Sequence, residues 1–543
     1  VSLPGFRGYY REDELARAVY SEAAGITRAI PAAVAVPVDA EDVVVLVKWA
    51  AESGTALIPR GSGSSMAGGA VGSGVVVDLS RINHLDRIDD RNNTVWAEPG
   101  VLWSTLDVAA RRKGLRLPPD PSSGKFCTLG GMVATNASGA HSLRYGSTRR
   151  WVNALDCVFS DGDRAIITRG EPPPKRIEAI NRFMQDVHAD VVSGDKRRPM
   201  FHAGVRKESS GYGIHDYATS AELVELLVGS EGTLAIIVGI QFNLSPLPTA
   251  TSSVLGSFAS LEEAAVAATK AVEAGASACE LLDKTFLAYA ASGEAADPKF
   301  RERTEGAAAI LLSEVESYST DSAAKAAQDL AAAFRQAGAK VVDVALTPEA
   351  EEELWDLRHA ASPILAGLEN VTSMQFIEDG AVAPAKLADY VNGVRKALAD
   401  RELNGVIFGH AGDAHIHVNP LVDVQRPDWR NQVTRLLEDT VTLTARLGGT
   451  LTGEHGDGRI RTPLLPRVWH KDTIKAFAQV KAAFDPKRIL NPGVKVPLSK
   501  DQKPIEEVKY DPALKPLPEK ARAALDAVVK DRAYDRFRLS LIG

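Results

Sequence analysis

The sequence predicts an α+β protein in which an α/β domain is followed by an antiparallel-sheet domain. Three observations predict it. Helix-like and strand-like pieces alternate from residue 30 to about 248, with a glycine-rich loop at a strand end. Two strand–helix–strand units then run in series between residues 250 and 346, the pattern of a ferredoxin-like sheet with helices on one face. The Pro-rich SPLPT at 245–249 separates the two.

Each element has its own signal. Asp39 caps a helix whose Val43, Leu46, Val47, Ala50 and Ala51 form one stripe, and Gly54 ends it. TALIP reads as a buried strand running into RGSGSSMAGG, and GVVVDL at 74–79 as the next strand. Residues 170–200 read as a helical insertion with a surface loop. Strand SVLGSFA precedes a helix opened by the capping box Ser260 and Glu263. Strands SACELLD, AAILLSEVE and KVVDVAL follow, with a helix at 321–337 stopped by Gly338. Thr347 and Pro348 open one more helix. Residues 496–543, charged and Pro-spaced, read as a tail along the surface.

Composition limits the function. The chain has 543 residues, 45% hydrophobic and 24% charged, with net charge −7, enough for two to four domains and unlike a protein that coats nucleic acid. No apolar run approaches the ~18 residues of a membrane helix. Cys127, Cys157 and Cys279 are far apart, which argues against a disulfide scaffold and a complete iron–sulfur cluster. A reduced cytoplasmic setting fits, with peripheral attachment at the inner membrane face left open. The chain opens on Val1, read as a processed or trimmed start, and no signal peptide is recognisable.

Two kinds of motif carry chemistry. PRGSGSSMAGG (59–69) offers consecutive backbone N–H groups that can cradle a phosphate or diphosphate. It fits neither GxxxxGK[ST] nor GxGxxG, which argues against NAD. FGHAGDAHIHVN (408–419) and TGEHGDG (452–458) hold the second. His415 and His417 share a strand face, His410 precedes them through a turn, and Glu454 sits beside His455. Imidazole and carboxylate suit zinc, and also manganese or iron.

These motifs occur in order with DPSS (120–123), GGMVATNASGAHSLRYG (130–146), GSEGTLAII (229–237) and FDPKRILNPG (484–493). Together they resemble the FAD-linked D-2-hydroxyacid dehydrogenases of the vanillyl-alcohol oxidase and p-cresol methylhydroxylase superfamily, over roughly residues 30–495. The resemblance implies a two-subdomain FAD-binding fold of the vanillyl-alcohol oxidase type plus a ferredoxin-like substrate (cap) domain. The expected organisation is an N-terminal extension at 1–29, an FAD-binding domain at 30–248, a cap domain at 249–483, a segment at 484–499 returning to FAD, and a tail at 500–543.

By that resemblance, Arg60, Gly61, Ser62, Gly63, Ser64 and Ser65 wrap the FAD diphosphate. Ser122, Gly131, Asn136, Ser138 and Gly139 line the rest, with Glu231, Gly232 and Ile236 nearby and Asn491 returning to the flavin. The loop holds no His or Cys, so FAD is expected to be non-covalent; His141 and Cys127 are the nearest tether candidates. His410, His417 and Glu454 are the implied metal ligands and His455 the general base. Ala414 and His415 stand where the family's HxGDGNxH motif has Gly and Asn, so His415 competes as a ligand.

The implied reaction oxidises a D-2-hydroxy acid. The cation lowers the hydroxyl pKa, neutral His455 takes the proton, and FAD accepts the electrons. Arg358, in the family's Trp-x-x-Arg context with Trp355, grips the substrate carboxylate. Tyr212 reads equally as a flavin neighbour or a core residue. SMQFIEDGAVAP has no lysine between 373 and 383, which favours D-lactate or glycolate over D-2-hydroxyglutarate. The expected electron acceptor is an iron–sulfur protein, an electron-transfer flavoprotein or quinone. The rivals are a same-fold FAD enzyme without net oxidation, an oxidase giving peroxide, and a non-catalytic FAD subunit. Oligomeric state is open, a homodimer included.

Overall fold

The computed structural model describes residues 3–194, 199, 201–291, 298–359 and 370–543. Its glycine loop leaves the end of Leu57–Arg60, which, like Ala33–Val36, pairs in parallel with Val75–Asp78. Parallel strands are apolar at nearly every position because both faces are covered. One face takes Val43, Leu46 and Val47 of helix Ala40–Ser53, which Asp39 caps and Gly54 ends at φ 70°. Against the other lie Ala524, Leu525, Leu539 and Ile542. The C-terminal stretch is therefore core, not a surface tail: its helix Glu519–Asp531 buries Ala521, Ala524, Leu525 and Val528 along one stripe. The N-terminal extension is likewise built in, through Tyr9–Arg11 at the sheet edge.

A second sheet, antiparallel, orders Thr94–Ala97, Ile236–Asn243, Val152–Val158 and Arg164–Thr168. The returning segment bridges Leu490 to Leu57, bringing residues 489–491 beside the glycine-loop strand.

The cap sheet runs Val341–Ala345, Ala250–Phe258, Ala309–Ser317, Ala278–Asp283, then Asn404–His410, His415–Val422 and Thr372–Ser373. Its first four strands have the ferredoxin-like order. Helices cover both faces, not one as expected. Leu261–Glu273 and Thr320–Gln336 pack on the face of Val254, Leu281 and Leu311, while Lys284–Ala291 and Pro348–His359 pack on that of Leu255, Leu282 and Leu312. The strands are apolar on both sides, so each side requires cover. Among the described residues, no helix is long and apolar enough to cross a membrane.

Candidate active site

The hairpin Asn404–His410/His415–Val422 places three imidazoles together. His410 faces His415 in register, and Glu280 on the neighbouring strand faces His410. The loop carrying Glu454 closes over them. His410 Nε2 and His417 Nε2 are 3.4 Å apart, and each lies 3.4–3.5 Å from Glu454 Oε1. A cation bonded to three ligands at about 2.1 Å in tetrahedral geometry sets such ligand–ligand edges at roughly 3.4 Å.

The partners of these groups aim the lone pairs inward. His417 Nδ1 donates to the Glu378 carbonyl at 2.9 Å, and His410 Nδ1 meets Glu280 Oε1 at 2.5 Å. Each ring thus spends its proton outward and turns Nε2 toward the shared point, as metal-binding histidines do. Glu454 Oε2 is held by Lys207 Nζ at 2.7 Å and Ser138 Oγ at 2.8 Å, leaving Oε1 for the centre. Burial opposes the charge of Glu454, but Lys207 and His410 hold its carboxyl well below the usual range. His417, desolvated and beside two other imidazoles, is pushed down and stays neutral. The donor set fits a divalent cation.

His415 is fully buried and does not line the cavity. Its Nε2 donates to Asp379 at 2.8 Å, although its ring lies within the same cluster. Asp379 also accepts from the backbone N–H groups of Glu454 and His455 and from the Thr452 hydroxyl, fixing the 452–455 loop. Arg461, itself buried, pairs with Glu378.

His455 faces the cavity, its ring stacked on His417, with Nδ1 3.4 Å from Glu378 Oε1 and Nε2 3.8 Å from Glu454 Oε1. Burial pulls its pKa down, yet Asp379, Glu378 and Glu454 raise it to about 9. The near-neutral value expected from the sequence ignored these three carboxylates. A cation held by Glu454 would lower it again, since like charges disfavour the imidazolium.

Arg358 also lines this cavity. Its Nε donates to Glu280 Oε2 at 2.8 Å and its guanidinium lies over the Phe408 ring at 4.7 Å. Glu280 thus ties Arg358 to His410, and the His410 N–H and the Arg358 guanidinium hold its pKa down to about 2 against the opposing effect of burial. Among the described residues, the Arg358 terminal nitrogens carry no hydrogen bond.

These groups form one end of a cavity of about 1650 Å³, beyond the ~300–1,000 Å³ of ordinary ligand pockets. Arg60, Gly61, Ser62, Gly63, Ser64 and Ser65 line it, as do Ser122, Gly131, Ser138 and Gly139. Glu231, Gly232 and Ile236 complete the predicted wall. The loop conformation demands glycine: Gly63 has φ 76°, and a Cβ on Gly61 would sit 2.1 Å from Thr128 Oγ1. Among the described residues, Ser65 Oγ is buried without a partner and available to a ligand. This loop fits the diphosphate of FAD.

Two predicted lining residues are braces instead. Asn136 ends helix Leu129–Thr135 at φ 54°, its Oδ1 accepting from the Arg149 N–H. Asn491 Nδ2 donates to the Gly69 and Glu231 carbonyls, tying the returning segment to the wall. Ser138 lines the cavity but spends its hydroxyl on Glu454. Tyr212 is core, bonded to Thr233 and packed on Phe477. Cys127 lines the cavity, with its thiol pushed up to about 12 by burial, a poor nucleophile. Lys207, Glu280, Glu378 and Asp379 complete the site beyond the residues the sequence predicts.

Comparison with known proteins settles the family. Residues 31–167 match the family described as "FAD binding domain" and residues 247–494 that described as "FAD linked oxidases, C-terminal domain". D-lactate dehydrogenase from Archaeoglobus fulgidus is 30% identical over 462 residues, covering 84% of this chain and 89% of that protein. The chain belongs to the FAD-linked D-2-hydroxyacid dehydrogenases. As a member, it is an FAD-dependent oxidoreductase acting on CH–OH groups. Glycolate oxidase subunit GlcD from Bacillus subtilis is 29% identical over 493 residues, 89% of this chain and 93% of that one. D-2-hydroxyglutarate dehydrogenase from Escherichia coli is 29% identical over 521 residues, 90% of this dehydrogenase but 50% of its longer relative. The solved 4-ethylphenol oxidase from Gulosibacter chungangensis shares the fold, at TM-score 0.67 and 17% identity over 90% of this chain and 95% of that one.

Proposed function

We propose that this dehydrogenase oxidises a D-2-hydroxy acid with one carboxylate, D-lactate or glycolate in preference to D-2-hydroxyglutarate, to the 2-oxo acid. One observation carries the reading: three converging ligand atoms, a cavity-facing imidazole and an arginine whose terminal nitrogens are free of hydrogen bonds among the described residues share a cavity with the glycine loop. When bound, FAD supplies the two-electron acceptor and a divalent cation, zinc before manganese or iron, supplies a Lewis acid.

The protein's own groups do the rest. The glycine loop, from Arg60 to Ser65, holds FAD non-covalently, and His410, His417 and Glu454 hold the cation. The Arg358 terminal nitrogens grip the substrate carboxylate in a two-pronged contact. With Nδ1 turned to Glu378, His455 presents Nε2 to take the hydroxyl proton.

Substrate choice follows from charge. Beside Arg358, the described lining residues Thr372, Ser373, Gln375 and Phe408 carry no second cation. A second carboxylate would lie unpaired there. Electrons leave to a separate acceptor, an iron–sulfur protein, an electron-transfer flavoprotein or quinone. A panel of D- and L-hydroxy acids with a dye acceptor tests the reading. D-lactate or glycolate should reduce the dye fastest; a clear preference for D-2-hydroxyglutarate, or no reduction by any 2-hydroxy acid, would overturn it.

A further inference from the structure

The C-terminal stretch lies beyond the matched segments, which end at 494, yet it supplies one wall of the cavity. Helix Glu519–Asp531 ends at Arg532 in the left-handed conformation, φ 52°, and the chain turns along the cavity. Val529, Arg532, Tyr534 and Arg536 line it. The Tyr534 ring lies 5.4 Å from Phe126 of the FAD-binding domain, and the Arg532 guanidinium 5.4 Å from the same ring. Leu525, Leu539 and Ile542 anchor both ends of the turn in the core.

Behind this wall, Arg538 is 3% exposed. Its Nη2 makes a long hydrogen bond, 3.4 Å, to the carbonyl of Ser62 in the glycine loop. Arg60, also buried, donates to the carbonyls of Tyr20 and Glu22. Among the described residues, the Nε of each guanidinium is buried without a partner. Asp78, whose charge reaches both, is hydrogen-bonded to the Tyr20 hydroxyl and the Ser80 N–H instead. Two buried cations beside one loop, neither hydrogen-bonded to a carboxylate, are costly unless an anion comes near. A diphosphate on the 61–65 loop would be that anion.

We propose that residues 529–538 are part of the FAD site: Tyr534 and Arg532 cover the cofactor, and Arg538 joins Arg60 in setting the positive charge that holds its diphosphate. This rests on FAD occupying the glycine-loop cavity, so the test includes a loop variant. FAD affinity would be measured by flavin fluorescence titration, over a range of salt, for Tyr534→Ala, Arg532→Ala, Arg538→Met and Gly61→Val. Hydrogen exchange of 529–538 would be followed with and without FAD. Arg532 is exposed, so its variant does not endanger folding. Each tail variant should weaken FAD binding roughly tenfold or more, Arg538→Met should flatten the salt dependence, and FAD should slow exchange across the segment. Unchanged affinity in all tail variants with unchanged exchange, while Gly61→Val loses FAD, would overturn the assignment of the tail. Full FAD affinity in Gly61→Val as well would remove the cofactor from this cavity and the proposal with it.

Discussion

Two histidine–carboxylate clusters line the same cavity, and they are built for opposite purposes. In the first, His410 and His417 each hold an outward partner on Nδ1, so both Nε2 lone pairs converge with Glu454 Oε1. In the second, His141 has Asp120 at 2.6 Å on Nδ1 and Glu314 at 2.9 Å on Nε2. A ring that donates from both nitrogens is an imidazolium and has no lone pair to offer. Burial opposes that charge, but the two carboxylates raise the His141 pKa well above 6.5. Around it, Glu316 takes Arg116 and Tyr145, so the cluster clasps the FAD-binding domain to the cap. Residue type is the same in both places; the partner of the second nitrogen separates a ligand from a latch.

Variants can break this contrast, the largest effect first. His455→Ala should leave FAD and metal bound and lower kcat by roughly 10²–10⁴-fold, as loss of a general base does; a dye assay with flavin and metal analysis checks it. Glu280→Gln removes the charge that orients His410 and Arg358 together. It should weaken metal binding by about 10–100-fold, read in a chelator competition. Arg358→Met should raise KM and lower kcat, at a cost of about 2 kcal/mol or roughly thirtyfold in kcat/KM; an unchanged kcat/KM would take Arg358 out of the site.

His141→Gln should leave metal content alone and act on stability, by about 3 kcal/mol at pH 6. The sign follows from the raised pKa. The ion pairs stabilise fully below the unfolded value near 6.5 and are lost as pH rises through the higher folded value. The gap in Tm between wild type and variant should therefore narrow in alkali.

What the sequence disclosed, and what it hid, follows the same division. His410, His417, Glu454 and His455 were legible because they lie in two short Gly/Asp-rich segments. Glu280 was not, being 130 residues from His410; the one local signal was a glutamate inside the apolar strand ACELLD. Glu378 and Asp379 sat in a stretch read only for its missing lysine. Asn136 and Asn491 were recognised as motif residues, but a motif does not say whether an amide faces the ligand or braces the wall. The βαββαβ order was visible from strand and helix periodicity. Helices on both sheet faces were not foreseen, although the unbroken apolar run AAILL implied two buried sides. Charge and Pro spacing make the C-terminal stretch read as a surface tail; the stripe Ala521, Ala524, Leu525 and Val528 is the better guide.

The most direct test is elemental analysis of purified protein for bound divalent metal, comparing wild type with His417→Ala and His141→Ala. About one zinc, manganese or iron per chain in wild type and His141→Ala, and little in His417→Ala, is the predicted result. Equal metal in all three proteins, or none in wild type after metal-supplemented purification, would contradict the division between ligand and latch.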